Sequence, residues 1–210
     1  MANEEEKILD AIKKIRASKE KKNFDQSIDL IINLKNFDVR KEAFSTFIQL
    51  PNKVKNKNIA GFLEKDSKII ATIKKDDFPR YKDKKDIKKL VKQYDFFIAS
   101  AKLMPSIATS FGRVLGPAGK MPSPQLGIIT SEDDASINAI AERINSNVKI
   151  RIKEPSIKIS IGKESLSDDS IMKNILAVYH KLLELLPKKN DNIRNVKIKL
   201  TMGKPVIVEI

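Results

Sequence analysis

The chain has 210 residues, no cysteine and one histidine. Without cysteine it forms no disulfide bond and has no thiolate for a zinc or iron–sulfur site, and a lone histidine is a poor start for any transition-metal site. Long apolar runs are also missing: the densest, residues 96–103, contains Ser100 and Lys102 and is far shorter than the ~20 residues that span a bilayer. The charged N-terminal segment does not resemble a signal peptide. We expect a soluble, cytoplasmic protein without metal or cofactor.

Positive charge is abundant. Lysine and arginine number 41 against 27 acidic residues, which gives a net charge of +14, and 41% of the residues are hydrophobic, enough for a packed core. Unpaired charges are costly to bury, so the surplus cations lie on the surface and attract polyanions. Nucleic acid is the first candidate partner, and an anionic membrane is the second.

Apolar periodicity predicts a mixed α/β chain. Alternating apolar residues predict strands at residues 24–35, 44–50, 148–152, 157–161 and 196–200, and residues 59–63 and 68–73 are predicted to form short strands. A continuous apolar run at residues 94–99 is typical of a strand buried on both faces of an α/β sheet. Helical spacing predicts helices at residues 4–21, 83–93, from Ser131 onward, and from Ser167 to about residue 186, the last two with a serine N-cap.

The order of these elements leaves two domain arrangements open. The chain reads as α-β-β, then an α/β middle, then β-α-β-β, and each flank alone buries little surface. The flanks therefore form either two small subdomains or, as we prefer, one α+β domain with the middle inserted.

Residues 111–124, FGRVLGPAGKMPSP, are rich in glycine and proline and superficially resemble a phosphate-binding loop. That motif requires a glycine where Val114 stands and a serine or threonine where Met121 stands, so nucleotide binding through it is not supported. A dinucleotide fingerprint is absent as well. An ordinary structured turn and a backbone shaped for close contact both remain open for this segment.

Other candidate groups have ordinary explanations. His180 is interpreted as a surface residue of a helix, and the aspartate pairs at residues 133–134 and 168–169 suit helix starts. The lysine clusters are most simply solvated surface. Phe24, at a strand start, and Thr201-Met202-Gly203, at a strand end, are candidates for positioned RNA contacts.

Residues 103–124, LMPSIATSFGRVLGPAGKMPSP, closely resemble the signature of the large-subunit ribosomal protein L-one family, the protein of the mobile ribosomal stalk. The resemblance covers the whole chain: NFDQSIDLIINLK, LPN, YDFFIASAKLMP and KLTMGKP follow one another as in that family. The form is similar to that of archaeal members.

The resemblance implies an α/β fold with a discontinuous RNA-binding α+β domain, residues 1–57 plus 154–210. A Rossmann-like three-layer α/β domain, residues 58–153, is inserted into it. The family's principal RNA-binding positions correspond to Phe24, Ser27, Thr201, Met202 and Gly203, with Lys163 and Lys199 as neighbours. Phe24 is expected to pack on ribose or a base, Ser27 and Thr201 to bind phosphate or 2′-hydroxyl groups, and Gly203 to allow close approach of RNA.

Two positions depart from the family pattern. Ala118 stands where the family usually has arginine, so any phosphate contact of that arginine is lost, and Lys204 interrupts Thr-Met-Gly-Pro.

The implied function is that of a non-enzymatic, monomeric constituent of the large subunit that binds ribosomal RNA at the stalk near the transfer-RNA exit site. Its own mRNA, which it would repress, and exit-site tRNA are implied further partners. The alternatives are an RNA- or nucleotide-acting enzyme that uses the inserted domain, and a basic protein that docks on membranes.

Overall fold

The computed structural model describes residues 2–17, 23–42, 44–81 and 83–209, with side chains from residue 4 onward. The chain divides into two compact units: Met1–Lys55 with Ser146–Ile210, and Asn56–Asn145. Both units contain helices and strands, which confirms the mixed α/β class. In the described part of the chain, no helix is long and apolar enough to cross a membrane.

The first unit is built on a four-stranded antiparallel sheet with strand order β10-β9-β1-β8. Its strands are β1 (Ser27–Leu34), β8 (Ser156–Lys163), β9 (Ile193–Leu200) and β10 (Val206–Val208). The apolar residues of β1 are fully buried at every second position, as the alternation predicted. Helices α1 (Ala2–Ala17) and α5 (Asp168–Leu185) share the hydrophobic core with this face.

Polar contacts position α5. The Ser167 side chain accepts from the Ser170 N–H at 3.3 Å, so the predicted N-cap is confirmed. Arg16 of α1 forms an ion pair with Asp168, 2.7 Å between Nε and Oδ1. The fully buried Asn174 donates to the carbonyls of Asn52 and Ile161, at 3.0 and 2.8 Å, and accepts from the Asn52 N–H. A buried amide satisfied in this way holds the chain where it leaves β2 (Ser45–Gln49).

A two-stranded antiparallel ribbon completes the first unit. It pairs β2 with β7 (Asn147–Arg151), Phe47 opposite Lys149. The family resemblance implies a boundary at residue 153, which places this strand in the inserted domain. The observed boundary lies at residue 146, because β7 needs β2 to satisfy its backbone hydrogen bonds and the buried Ile150 belongs to the first unit's core.

The second unit, residues 56–145, contains a parallel sheet with strand order β4-β3-β5-β6. Its strands are β3 (Ile59–Phe62), β4 (Ala71–Ile73), β5 (Phe96–Ser100) and β6 (Ile128–Ile129). The connections contain a 3-10 helix (Lys75–Tyr81), α2 (Lys84–Gln93) and α3 (Met104–Ala118), and α4 (Asp134–Ser146) follows the last strand. Phe62, Phe78 and Phe111 interlock in the core, with ring centroids 5.0–6.0 Å apart.

The glycine- and proline-rich segment is largely helical, so its interpretation as a turn is wrong up to residue 118. Ile107, Phe111 and Leu115 lie four residues apart and are all fully buried on one face of α3. Each interior glycine costs ~1 kcal/mol in a helix. Burial of three large side chains outweighs that cost, since each contributes about 1.5–3 kcal/mol.

The Gly119-Lys120 pair ends α3 and also caps a neighbouring helix. Gly119 adopts a left-handed conformation, φ 71°, and its N–H donates to the Gly116 carbonyl while the Lys120 N–H donates to that of Leu115. This pair of hydrogen bonds forms the Schellman motif, which favours glycine at the left-handed position. The Lys120 ammonium donates to the carbonyls of Val91 and Tyr94, at 2.6 and 2.7 Å, where α2 ends. This part of the signature is therefore explained by structure alone.

Two further local predictions differ from the structure. Ser131 is not the N-cap of α4, because the helix begins at Asp134 and the Ser131 hydroxyl donates instead to the Asp133 carboxylate. The strand proposed within residues 68–73 shortens to Ala71–Ile73. His180 is exposed as expected, and the end of the first predicted helix, residues 18–21, lies outside the described residues.

Candidate nucleic-acid interface

The seven predicted binding residues all lie at one end of the four-stranded sheet. The antiparallel partners of β1 bring their ends to its start, so that Ser27 pairs with Lys163 and Ile28 with Leu200. Phe24 precedes β1, Lys199 lies near the end of β9, and Thr201-Met202-Gly203 is the turn that follows β9. We call these seven residues, Phe24, Ser27, Lys163, Lys199 and residues 201–203, the sheet rim.

Thr201 ties the turn to the first strand. Its N–H donates to the Ser27 carbonyl at 3.0 Å, and its hydroxyl accepts from the Ser27 N–H at 3.1 Å and donates to the Ser27 carbonyl at 3.2 Å. A hydroxyl has one proton and two lone pairs, so only one lone pair is left for a ligand. Thr201 therefore positions the turn, and little of its capacity remains for phosphate or 2′-hydroxyl groups. Within the described chain the Ser27 hydroxyl has no hydrogen-bond partner and keeps its full capacity.

Sequence reasoning missed Gln26, a buried polar side chain beneath the turn. Only 2% of Gln26 is exposed, and its amide oxygen accepts from the Met202 N–H at 3.2 Å. The backbone carbonyl of Gln26 accepts from the Glu164 N–H at 2.8 Å, and the side-chain amide nitrogen of Gln26 lies 3.5 Å from the Glu164 carboxylate. The signal was present in the sequence: Gln26 occupies the inward phase of the alternation that continues with Ile28 and Leu30.

Asp25 was also missed, and it holds the opposite side of the rim. Its carboxylate accepts from the N–H and the hydroxyl of Ser165, at 3.1 and 3.0 Å. The Asp25 carbonyl accepts from the Lys163 ammonium at 3.1 Å. Lys163 is thereby held beside the start of β1, with donor capacity left because an ammonium group has three protons.

Two exposed side chains of the rim are large and apolar. Met202 is 66% exposed and Phe24 is 52% exposed. Two such side chains at the same end of one sheet suit a ligand that offers stacking or ribose surfaces.

Gly203 is closely packed within its own turn. Its N–H donates to the Leu200 carbonyl at 3.0 Å, and a Cβ atom at this position would lie 3.3 Å from the Leu200 Cβ, closer than ordinary van der Waals contact. This contact disfavours a side chain at position 203, and a shift of a few tenths of an ångström would relieve it. The close approach of RNA expected from the sequence stays a prediction.

The outer face of the sheet continues the rim with polar and basic groups. Asp29 lies opposite Lys199 and Ser160, and burial raises the pKa of the Asp29 carboxyl although both neighbours act to lower it. Further along, Asn33 donates to Asn195 at 2.7 Å and accepts from the Ser156 hydroxyl at 2.9 Å. Hydrogen-bonding groups therefore extend from the rim across three strands.

In the described part of the chain, no group of histidine and acidic residues has the arrangement of a metal site. The fold and the rim thus define a two-unit α/β protein whose first unit carries a basic surface with exposed apolar tips, the kind of surface suited to RNA.

The comparisons with known proteins agree with this class. Residues 13–204 match the model of the ribosomal protein L1p/L10e family. Large ribosomal subunit protein uL1 of Nanoarchaeum equitans is 35% identical over 95% of this chain and 98% of its own length. The uL1 proteins of Methanobrevibacter smithii and Pyrococcus horikoshii are 36% and 32% identical, over 96% and 100% of this chain and 98% of their own lengths. The chain belongs to the ribosomal protein L1p/L10e family, which is a family of ribosomal proteins and not of enzymes. The enzymatic alternative is therefore set aside.

Proposed function

We propose that this protein is a structural constituent of the large ribosomal subunit and binds ribosomal RNA of the mobile stalk, near the transfer-RNA exit site, through the sheet rim. The RNA-binding domain is then the discontinuous one made from both chain ends. The observation that carries the proposal is the exposure of Phe24 and Met202 on segments held rigid by hydrogen bonds and flanked by lysines.

The residues of the rim have different roles in this proposal. Phe24 and Met202 pack on ribose or base surfaces, Ser27 hydrogen-bonds the RNA, and Lys163 and Lys199 attract phosphates. Gly203 keeps the turn tight, and Thr201 holds it against β1. The first unit is also the more basic one, with a net charge of +9 against +5 for the second. A charge difference in this direction favours encounter of RNA with the first unit.

The finer parts of the proposal follow the family resemblance. The free protein is a monomer that acts in the cytoplasm, and the same rim binds a matching structure in its own mRNA and represses translation. Exit-site tRNA is a further partner on the ribosome. The same residues can serve ribosomal and messenger RNA if both present the same shape, because RNA is read largely by shape and by unpaired bases.

A binding experiment tests the rim. Affinity for an RNA of the stalk helix is measured for the parent, Phe24→Ala, Met202→Ala and Thr201→Val over a range of salt concentrations. We expect Phe24→Ala and Met202→Ala to weaken binding by about 1–3 kcal/mol each, with an unchanged salt slope because no cation is removed. Thr201→Val weakens binding through loss of the turn's anchor.

Ile69→Ala is the matched control, since Ile69 is 45% exposed but lies in the second unit. The rim is wrong as the binding site if all three rim variants bind like the parent while reversal of surface charges alone weakens binding. Repetition with the protein's own mRNA tests whether the rim binds both RNAs: if Phe24→Ala weakens only the ribosomal complex, one shared site is excluded.

A further inference from the structure

The second unit contains an open groove that the rim does not involve. It has a volume of about 570 Å³ and lies between the 3-10 helix and the first half of α3. Lys75, Phe78, Pro79 and Tyr81 line one side, and Ser106, Thr109 and Ser110 line the other. The volume falls within the range of about 300–1,000 Å³ that is usual for ligand sites.

The hydroxyl side of the groove is one face of a helix. Ser106, Thr109 and Ser110 are three and four residues apart, so their side chains lie on the same face of α3. Thr109 donates to the Pro105 carbonyl at 2.7 Å and keeps its lone pairs. Within the described residues the hydroxyls of Ser106 and Ser110 have no hydrogen-bond partner, so both retain a donor for phosphate or ribose oxygens.

The opposite side has an aromatic floor. The Phe78 ring is buried and meets Phe111 edge to face, with 5.0 Å between centroids. Tyr81 is half-buried, and its ring centroid lies 5.8 Å from that of Phe111. Packing on the core fixes the Tyr81 ring beside the groove, which lowers the entropy cost of stacking a base there.

Cations are concentrated in the segment that contains one side of the groove. Residues 75–93 contain eight lysines and arginines against four aspartates, so most of the unit's net charge is concentrated in this segment. Asp77 and Asp86 pair with Arg80 and Lys89, which leaves six cations and two aspartates in this segment. Helix α2 packs beside both walls and exposes Lys84, Lys85, Lys88, Lys89 and Lys92. Such a field favours a polyanion over a neutral ligand.

We propose that this groove is a second RNA-binding site, which takes one or two unpaired nucleotides of a single strand. Tyr81 stacks on a base, the α3 hydroxyls bind ribose or phosphate oxygens, and Lys75 with the lysines of α2 attracts the flanking phosphates. An aromatic platform beside a positive track is the usual arrangement for sequence-tolerant binding of single strands. This site is independent of the sheet rim.

The test uses the full chain and fluorescein-labelled octauridylate, with affinity measured by fluorescence anisotropy. Each groove variant is made in the parent and in a Phe24→Ala, Met202→Ala background, so that rim binding does not mask the groove. Tyr81→Leu keeps an apolar side chain against Phe111 but removes the stacking ring, and we expect it to weaken binding about fivefold or more. Tyr81→Phe retains affinity, and Ser106→Ala with Ser110→Ala lowers it.

Ser136→Ala on α4 and Lys68→Ala are controls, because neither residue lines the groove. Affinity in Tyr81→Leu equal to that of the parent overturns the proposal. If Tyr81→Leu fails to fold, photocrosslinking of the parent to a 4-thiouridine octamer decides: crosslinks at residues 75–81 or 104–110 support the groove, and crosslinks confined to the first unit refute it.

Discussion

Replacement of Gln26 by methionine tests whether the rim must be held from beneath. Gln26→Met keeps the length of the side chain and removes both of its hydrogen bonds, to the Met202 N–H at 3.2 Å and to the Glu164 carboxylate at 3.5 Å. The Met202 bond is the better formed, and its loss leaves a donor without its partner, at a cost of about 1–3 kcal/mol. The longer bond adds little.

Gln26 is only 2% exposed and does not reach a ligand, so its effect on RNA must pass through the Met202 turn. If the RNA-binding conformation of the Met202 turn is destabilised by about 1 kcal/mol of that cost, RNA affinity falls about fivefold. The salt slope stays unchanged because Gln26 carries no charge.

The assay pairs denaturant unfolding with RNA affinity in the same preparation. Gln49→Met is the matched control, since Gln49 is an exposed strand residue of the same unit and its replacement should change stability by less than about 0.5 kcal/mol. A Gln26→Met protein that loses stability but binds stalk RNA like the parent refutes the role of Gln26 in positioning the rim. An unchanged stability refutes the expected cost of losing the hydrogen bond between Gln26 and the Met202 N–H.

Two further predictions concern stability. Lys120→Met removes the ammonium that caps the last carbonyls of α2, so we expect the free energy of unfolding to fall by about 2 kcal/mol and amide exchange in residues 84–93 to become faster. Lys92→Met, on the exposed face of α2, is the control. Equal exchange in both variants contradicts the capping role. Burial raises the pKa of the Asp29 carboxyl, so the folded state binds this proton more tightly than the unfolded state does. The stability of the parent therefore falls as the pH rises from the pKa of the unfolded state, ~3.9, through the higher pKa of the folded state. Asp29→Asn should therefore melt at a higher temperature than the parent at neutral pH, with a difference that vanishes in acid, and a difference independent of pH would contradict this sign.

The elements of the fold were predictable wherever local pattern and tertiary burial agree. The alternation at residues 28–34 marks a strand with one buried face, and Ser167 marks a helix start, because both signals depend on neighbours in sequence. Helix α3 was missed because glycine and Pro117 lower its local propensity, while the burial that stabilises it comes from Phe62 and Phe78, which are distant in sequence. Strand β7 was recognised, but its partner β2 lies about a hundred residues earlier and decides its domain.

The sequence by itself determined the charge of this protein, the exclusion of cysteine chemistry, the alternation of its strands and, through ordered motifs, its family. The tertiary structure decided how those residues act. Only the pairing of β1 with β8 and β9 brings Phe24 within one rim with Met202, and only the burial of Gln26 shows what holds that rim. Roles of this kind depend on hydrogen bonds between residues more than a hundred positions apart, and no local pattern encodes which partners will meet.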